Sequence, residues 1–186
     1  MIEGDLNPSA RRDVFGSKIN RTHSPILAIA IPWASVLLAS LSPFLPFFPG
    51  FPLVPPIALL MLLGWRFVRP GLMPSWAGLP LGAFDDLFSG QPFGSAIMLW
   101  SLAMLALDAV EARFPWRGFW QDWLAAIAVL TVYIFAAALF SGAHADPSVI
   151  PWLLPQLLLS IMLFPIVARI VARLDRLRLR RIRRIG

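Results

Sequence analysis

Cysteine is absent from this chain of 186 residues, which excludes disulfides, thiolate zinc sites, iron–sulfur clusters and cysteine nucleophiles. Histidine is nearly absent too, with only His23 and His144. Charge is scarce, at 14% of residues, where a soluble domain carries about 25%. No HExxH, GxSxG, Walker-type loop or dinucleotide fingerprint occurs. Catalysis has little material to work with. The chain reads as a non-enzyme with no metal site and no cofactor.

Apolar residues are what is abundant. They make up 58% of the chain and fall into runs too long and too numerous for one soluble domain. A spanning helix needs roughly 20 predominantly apolar residues. Six such spans are predicted, at about Pro25 to Leu45, Pro52 to Val68, Leu72 to Phe88, Pro92 to Val110, Trp120 to Phe140 and Val149 to Ala172. The third is short and carries Pro74, Gly78, Pro80 and Gly82, so a kinked or broken helix is expected there. Residues 1–24 read as a polar tail, 25–172 as an all-α polytopic membrane domain, and 173–186 as a basic C-terminal helix. A cleaved leader competes for the N-terminus. The apolar run that follows the tail reaches about Phe48, longer than a typical h-region of about 7–15 residues, so retention as a first span is expected.

The basic residues arbitrate topology, because cytoplasmic loops carry the Lys/Arg excess. Four lie in the tail (Arg11, Arg12, Lys18, Arg21), two between spans two and three (Arg66, Arg69), two between spans four and five (Arg113, Arg117) and eight from Arg169 onward. Together these are all sixteen, and the intervening turns have none. Both termini are therefore predicted to be cytoplasmic. His23 and His144 then fall on opposite sides and cannot share a metal. Trp65, Trp76, Trp100, Trp116, Trp120, Trp123 and Trp152 lie mostly near span ends, where indoles favour the interface.

Asp85 and Asp86 sit between apolar runs, and intramembrane charges are costly without a partner or a purpose. Adjacent carboxylates lie about 100° apart on a helix, so at most one faces a given partner. Two readings stay open. One is an acceptor site for a partner's arginine, amide groups or a cation. The other is a carboxylate satisfying backbone groups where one span ends and the next begins, with Ser89 capping and Pro92 near the first turn. Both hold if Asp86 points inward and Asp85 is wet. Asp108 and Glu111 share a helix face near Arg113 and Arg117, predicting a local ion pair. Gln156 is expected to bond across helices. Arg169, Arg173, Arg176, Arg180 and Arg184 recur at three or four residues on one face. They read as a surface for anionic lipid or a docking face for a partner. Nucleic acid is not expected, because interleaved aromatics are lacking.

The stretch Gly82…Asp86-Leu87-Phe88-Ser89-Gly90-Gln91-Pro92-Phe93-Gly94 resembles the G-x-x-x-D-L-x-S-G-x-P-x-G signature of the rod shape-determining protein MreD family. Upstream, Pro56…Trp65-Arg66…Arg69-Pro70-Gly71 is similar to that family's proline-bounded span ending in a basic R-P-G turn. The likeness covers about residues 55–110, and Asp85 departs from it. It implies a multi-pass subunit of the bacterial inner membrane that associates with MreC and, through it, with MreB, RodA and a class B transpeptidase. It also implies a bundle like the S components of vitamin transporters. The motif would place Gly82, Asp85, Asp86, Ser89, Gly90, Pro92 and Gly94 at a partner-binding or structural site. The leading expectation is a non-catalytic scaffold, with small residues such as Gly78, Gly82 and Ala83 admitting a partner helix. The alternative is a solute-binding, S-component-like subunit.

Overall fold

A computed structural model describes residues 25–44, 54–114, 118–142 and 150–178. Six α-helices carry the fold: α1 (Pro25–Ser40), α2 (Ile57–Val68), α3 (Gly78–Phe88), α4 (Ser95–Arg113), α5 (Phe119–Phe140) and α6 (Ile150–Arg178). Short 3₁₀ turns lie at Ser42–Phe44 and Ser75–Ala77, and no strand occurs among the described residues. The 3₁₀ turn ahead of α3 is where the third apolar run breaks. Three helices, α4, α5 and a stretch of α6 from Leu153 to Arg178, are long and apolar enough to cross a membrane. They mark a membrane protein. By contrast α2 has 12 residues and α3 has 11, about 18 and 17 Å at 1.5 Å per residue.

The shortness of α2 reflects its place. Every residue from Ala58 to Arg66 is buried, and a helix that is apolar on all sides belongs at the centre of a bundle. It packs between α1 and α6. Against α6 the approach is close, since a Cβ on Gly64 would meet Val171 Cγ2 at 3.0 Å. The α3–α4 pair is closer still. A Cβ on Gly78 would lie 2.8 Å from the Ser101 nitrogen, and one on Gly82 would lie 2.7 Å from the Ala96 carbonyl oxygen. Both glycines are thus consumed inside the bundle. The expectation that they admit an external helix is corrected: α4 already occupies that surface.

Two prolines inside helices shape the tertiary contacts. A helical proline has no N–H, so the carbonyl four residues earlier loses its partner. Pro32 in α1 frees the Ala28 carbonyl, and Arg178 Nη1 donates to it at 3.0 Å. Pro165 in α6 frees the Ile161 carbonyl, and Trp123 Nε1 donates to it at 3.5 Å. Each freed acceptor is answered from a different helix, as a low-dielectric interior requires.

Not all the indoles sit at helix ends. Trp76 and Trp120 are exposed, whereas Trp65 and Trp100 are fully buried. Trp65 donates to Ser35 Oγ at 2.8 Å, so its place in the core is held by a side chain of α1. The polar tail, residues 45–53, both histidines, Trp116, Arg117, Arg180 and Arg184 lie outside the described residues.

Candidate functional site

Charge and polarity concentrate at the two ends of the bundle. At the first end, α3 hands over to α4 through Ser89–Gly94. Gly90 (φ +69) and Gly94 (φ +100) adopt the left-handed backbone that a glycine tolerates without strain. That path turns the chain back so that the start of α4 points at the last turn of α3. Asp86 fills the gap. Its Oδ2 accepts the N–H of Gly94 at 2.9 Å and of Ile97 at 3.2 Å, and its Oδ1 accepts the N–H of Ala96 at 2.8 Å. The Ser95 hydroxyl lies 3.2 Å from both Asp86 Oδ1 and Gln91 Oε1.

A helix begins with N–H groups that have no intrahelical partner, together with the positive end of its dipole. Asp86 answers both from the preceding helix. Ser89, the residue expected to cap, instead ends α3, and its Oγ is 3.5 Å from the Gln91 nitrogen. Pro92 lies exposed, ahead of the first turn of α4, which starts at Ser95.

Asp85 is buried as deeply as Asp86, at 7% and 6% exposure. The expectation of a wet Asp85 is therefore corrected. Its carboxylate borders a cavity of about 250 Å³ closed by Ser40, Gln91, Trp100, Tyr133 and Gln156, with Pro55 and Pro56 along one wall. All six helices contribute to that lining. Gln156 is fixed there by donating to the Val54 carbonyl at 2.8 Å, in the segment ahead of α2 rather than on another helix. The Ser40 hydroxyl adjoins Asp85, yet neither that hydroxyl nor the Trp100 indole N–H has a hydrogen-bond partner of good geometry. Among the described residues Asp85 has no ion pair.

The opposite end is built from opposed charges. Arg66, buried in the last turn of α2, donates through one Nη2 to both Asp108 and Glu111 of α4. The i, i+3 carboxylates do pair, but with α2 rather than with their own helix end. Arg113 is exposed and takes no part. Asp175 bridges two cations, accepting from Arg69 Nε at 2.9 Å and from Arg178 Nε at 2.7 Å. Arg178 also lies over the Trp65 ring, 6.0 Å from its centroid. Arg169, Arg173 and Arg176 are exposed on α6, so the described part of the basic face points away from the bundle.

Between these ends, α4 and α5 leave an open apolar groove of about 310 Å³. Leu102, Ala103, Ala106, Ala125, Ala128 and Val132 are among the residues that shape it.

Several of these features went unforeseen in the sequence. Asp175 and Arg178 had no signal beyond membership of a basic run. Trp100 carried one, because it lies within α4 rather than at a helix end, and a buried indole N–H ordinarily finds an acceptor. Among the described residues no cluster of metal-ligating side chains is found. In comparison with known proteins, no family model, no curated protein and no solved structure matches the chain. The class that the geometry of the described residues defines is an all-helical membrane-type bundle with a polar cavity and an apolar groove.

Proposed function

We propose that this protein is a non-catalytic scaffold of the cell-elongation machinery in the bacterial inner membrane, similar to MreD and binding the single span of an MreC-like partner. Through that partner it would reach MreB, RodA and a class B transpeptidase. The observation that carries the reading is the α4–α5 groove, an alanine-lined apolar channel on the outer surface of the bundle. In lipid, helix association depends on close packing, and small residues permit it. A second observation supports the same reading. The motif from Gly82 to Gly94 builds a helix junction, a structural rather than a reactive arrangement.

In this proposal the chain spans the membrane six times, with the Arg66 end in the cytoplasm. The exposed Arg169, Arg173 and Arg176 then meet anionic headgroups, each contributing about 1 kcal/mol. The absence of cysteine makes the topology directly measurable. Single cysteines at Pro92 and Ala112, both exposed, should label from opposite faces with an impermeant maleimide. Labelling from the same face would refute the arrangement.

Partner binding is tested by co-purification from detergent with an MreC-like chain, using Ala106→Phe and Ala128→Phe. Both side chains are exposed in the groove, so these variants should keep their thermal midpoint and lose the partner. Retention of the partner by both variants would remove the groove from the proposal, and failure of the unaltered chain to co-purify would remove the scaffold reading. The solute-binding, S-component-like alternative is favoured by one observation, the polar cavity beside Asp85.

A further inference from the structure

The cavity beside Asp85 has a charge balance that the scaffold reading does not use. Of the two adjacent buried carboxylates only Asp85 is in its described lining, and the two are not equivalent. Asp86 is committed to three backbone N–H groups and stands next to the Ser95 hydroxyl. Asp85 receives no comparable donor and has no ion pair among the described residues. Among the described residues no arginine or lysine is in the lining. Buried charges are ordinarily paired or hydrogen-bonded, so Asp85 is left with an unmet requirement for a cation or a strong donor.

The walls specify what kind of cation. Trp100 and Tyr133 border the space, and aromatic faces attract ammonium groups, quaternary ones included. The Trp100 N–H, on a fully buried residue, has no acceptor of good geometry among the described residues, so the occupant should bring an oxygen of its own. The Gln91 and Gln156 amides and the Ser40 hydroxyl supply further polar contacts. The volume, about 250 Å³, is below the roughly 300–1,000 Å³ of drug-sized sites, which suits a compact molecule. An anion would face Asp85 without a counter-charge, and an apolar guest would leave both Asp85 and Trp100 unanswered.

We propose that this cavity binds a small ammonium group carrying a neighbouring oxygen, with Asp85 as its counter-ion, the Trp100 and Tyr133 rings as its walls and the Trp100 N–H as donor to the oxygen. A free amino alcohol and a lipid ethanolamine or choline headgroup both present that chemistry. Among the described residues the site shares Tyr133 with the α4–α5 groove, and its test needs no partner helix there.

The test is thermal unfolding of the full chain in detergent with choline, against the uncharged isostere 3,3-dimethylbutanol at equal concentration and ionic strength. Choline at millimolar concentration should raise the midpoint by several degrees, and the alcohol should leave it unchanged. A parallel arm adds phosphatidylethanolamine or phosphatidylglycerol to the micelles. Stabilisation by the former alone, without a choline effect, identifies the headgroup as the source of the ammonium. Asp85→Asn, which keeps the shape of the side chain, should abolish either shift. Equal responses to choline and its isostere together with no preference between the lipids would overturn the proposal, as would an undiminished shift in Asp85→Asn. The comparison of choline with its isostere needs no variant, so misfolding of the asparagine protein would not blunt the test.

Discussion

Where α2 finishes, Arg66 is held between two carboxylates of α4, and Asp175 is held between two arginines. Where α3 finishes, there are two carboxylates and, among the described residues, no cation. One of them is satisfied by the start of a helix and the other borders a cavity. The first end is closed by complementary side chains, and in ion pairs of this kind each charge depends on its partner. The second end is closed by backbone dipoles, which leaves one carboxylate over. A closed ionic end holds helices in place, whereas an incompletely satisfied end keeps capacity for something that arrives later.

The largest effect should come from breaking the helix-capped carboxylate. Asp86→Ala strands buried N–H groups at the start of α4, and each such group costs about 1–3 kcal/mol. We expect a loss of about 3 kcal/mol, measured by unfolding in mixed micelles of increasing denaturing detergent. An effect below about 1 kcal/mol, the typical value of an exposed cap, would show that the contacts to Asp86 do not hold α4. Next is the ionic end. Arg66→Met leaves Asp108 and Glu111 facing each other without a cation, and removal of one member of a buried pair costs about 3–5 kcal/mol. Because those carboxylates are about a third exposed (32% and 30%), water should relieve part of this, to about 2–3 kcal/mol. Adding Asp108→Asn and Glu111→Gln to that variant should recover much of the loss.

Gly82→Ala probes the α3–α4 contact from its backbone side. The added methyl meets the Ala96 carbonyl at 2.7 Å, and overpacking of this kind costs about 1–3 kcal/mol. An unchanged midpoint would mean that the two helices can part without penalty. The smallest effects sharpen the contrast most. Arg69 is 48% exposed, so Arg69→Ala should cost under about 1 kcal/mol even though its partner Asp175 is buried. Asp85→Asn should be neutral or stabilising in the absence of ligand, because it removes a buried charge that lacks a counter-ion. If it destabilised the protein as much as Asp86→Ala, the two carboxylates would not differ in the way described.

Periodicity and punctuation in the sequence located the elements well. The apolar runs beginning at Pro25, Trp120 and Val149 correspond to α1, α5 and α6 within a few residues, because hydrophobicity and Pro/Gly breaks are local properties. Partner choice was less legible. Asp108 and Glu111 were expected to pair with Arg113 and Arg117, the nearest cations along the chain. The pairing is set instead by the Arg66 side chain reaching from the last turn of α2 to α4, which puts it next to residues 42 and 45 positions away. Gly78 and Gly82 were recognisable as sites of close approach, but a lone sequence cannot say whether the approaching helix is its own. The burial of Trp100 was legible only from its place inside an apolar run, since the rule for interfacial tryptophan concerns helix ends and this indole faces a cavity in the interior.

The reach of Asp86 across the α3–α4 junction makes the segment between them a measured spacer. The carboxylate and its first backbone donor are eight positions apart, and Gly90 and Gly94 set the path between them. One residue more or fewer in 87–93 would turn α4 by about 100° about its own axis relative to the carboxylate. That rotation would present the face now packed on Gly78 and Gly82 elsewhere. Chains that share this fold should therefore vary freely in side chain at the exposed Leu87 and Phe93 but hold the length of the junction constant. Where Asp86 is lost, compensation is expected at the first turn of α4 itself, in a capping residue of its own. The junction would then diverge as a unit of fixed count, inherited whole or rebuilt whole.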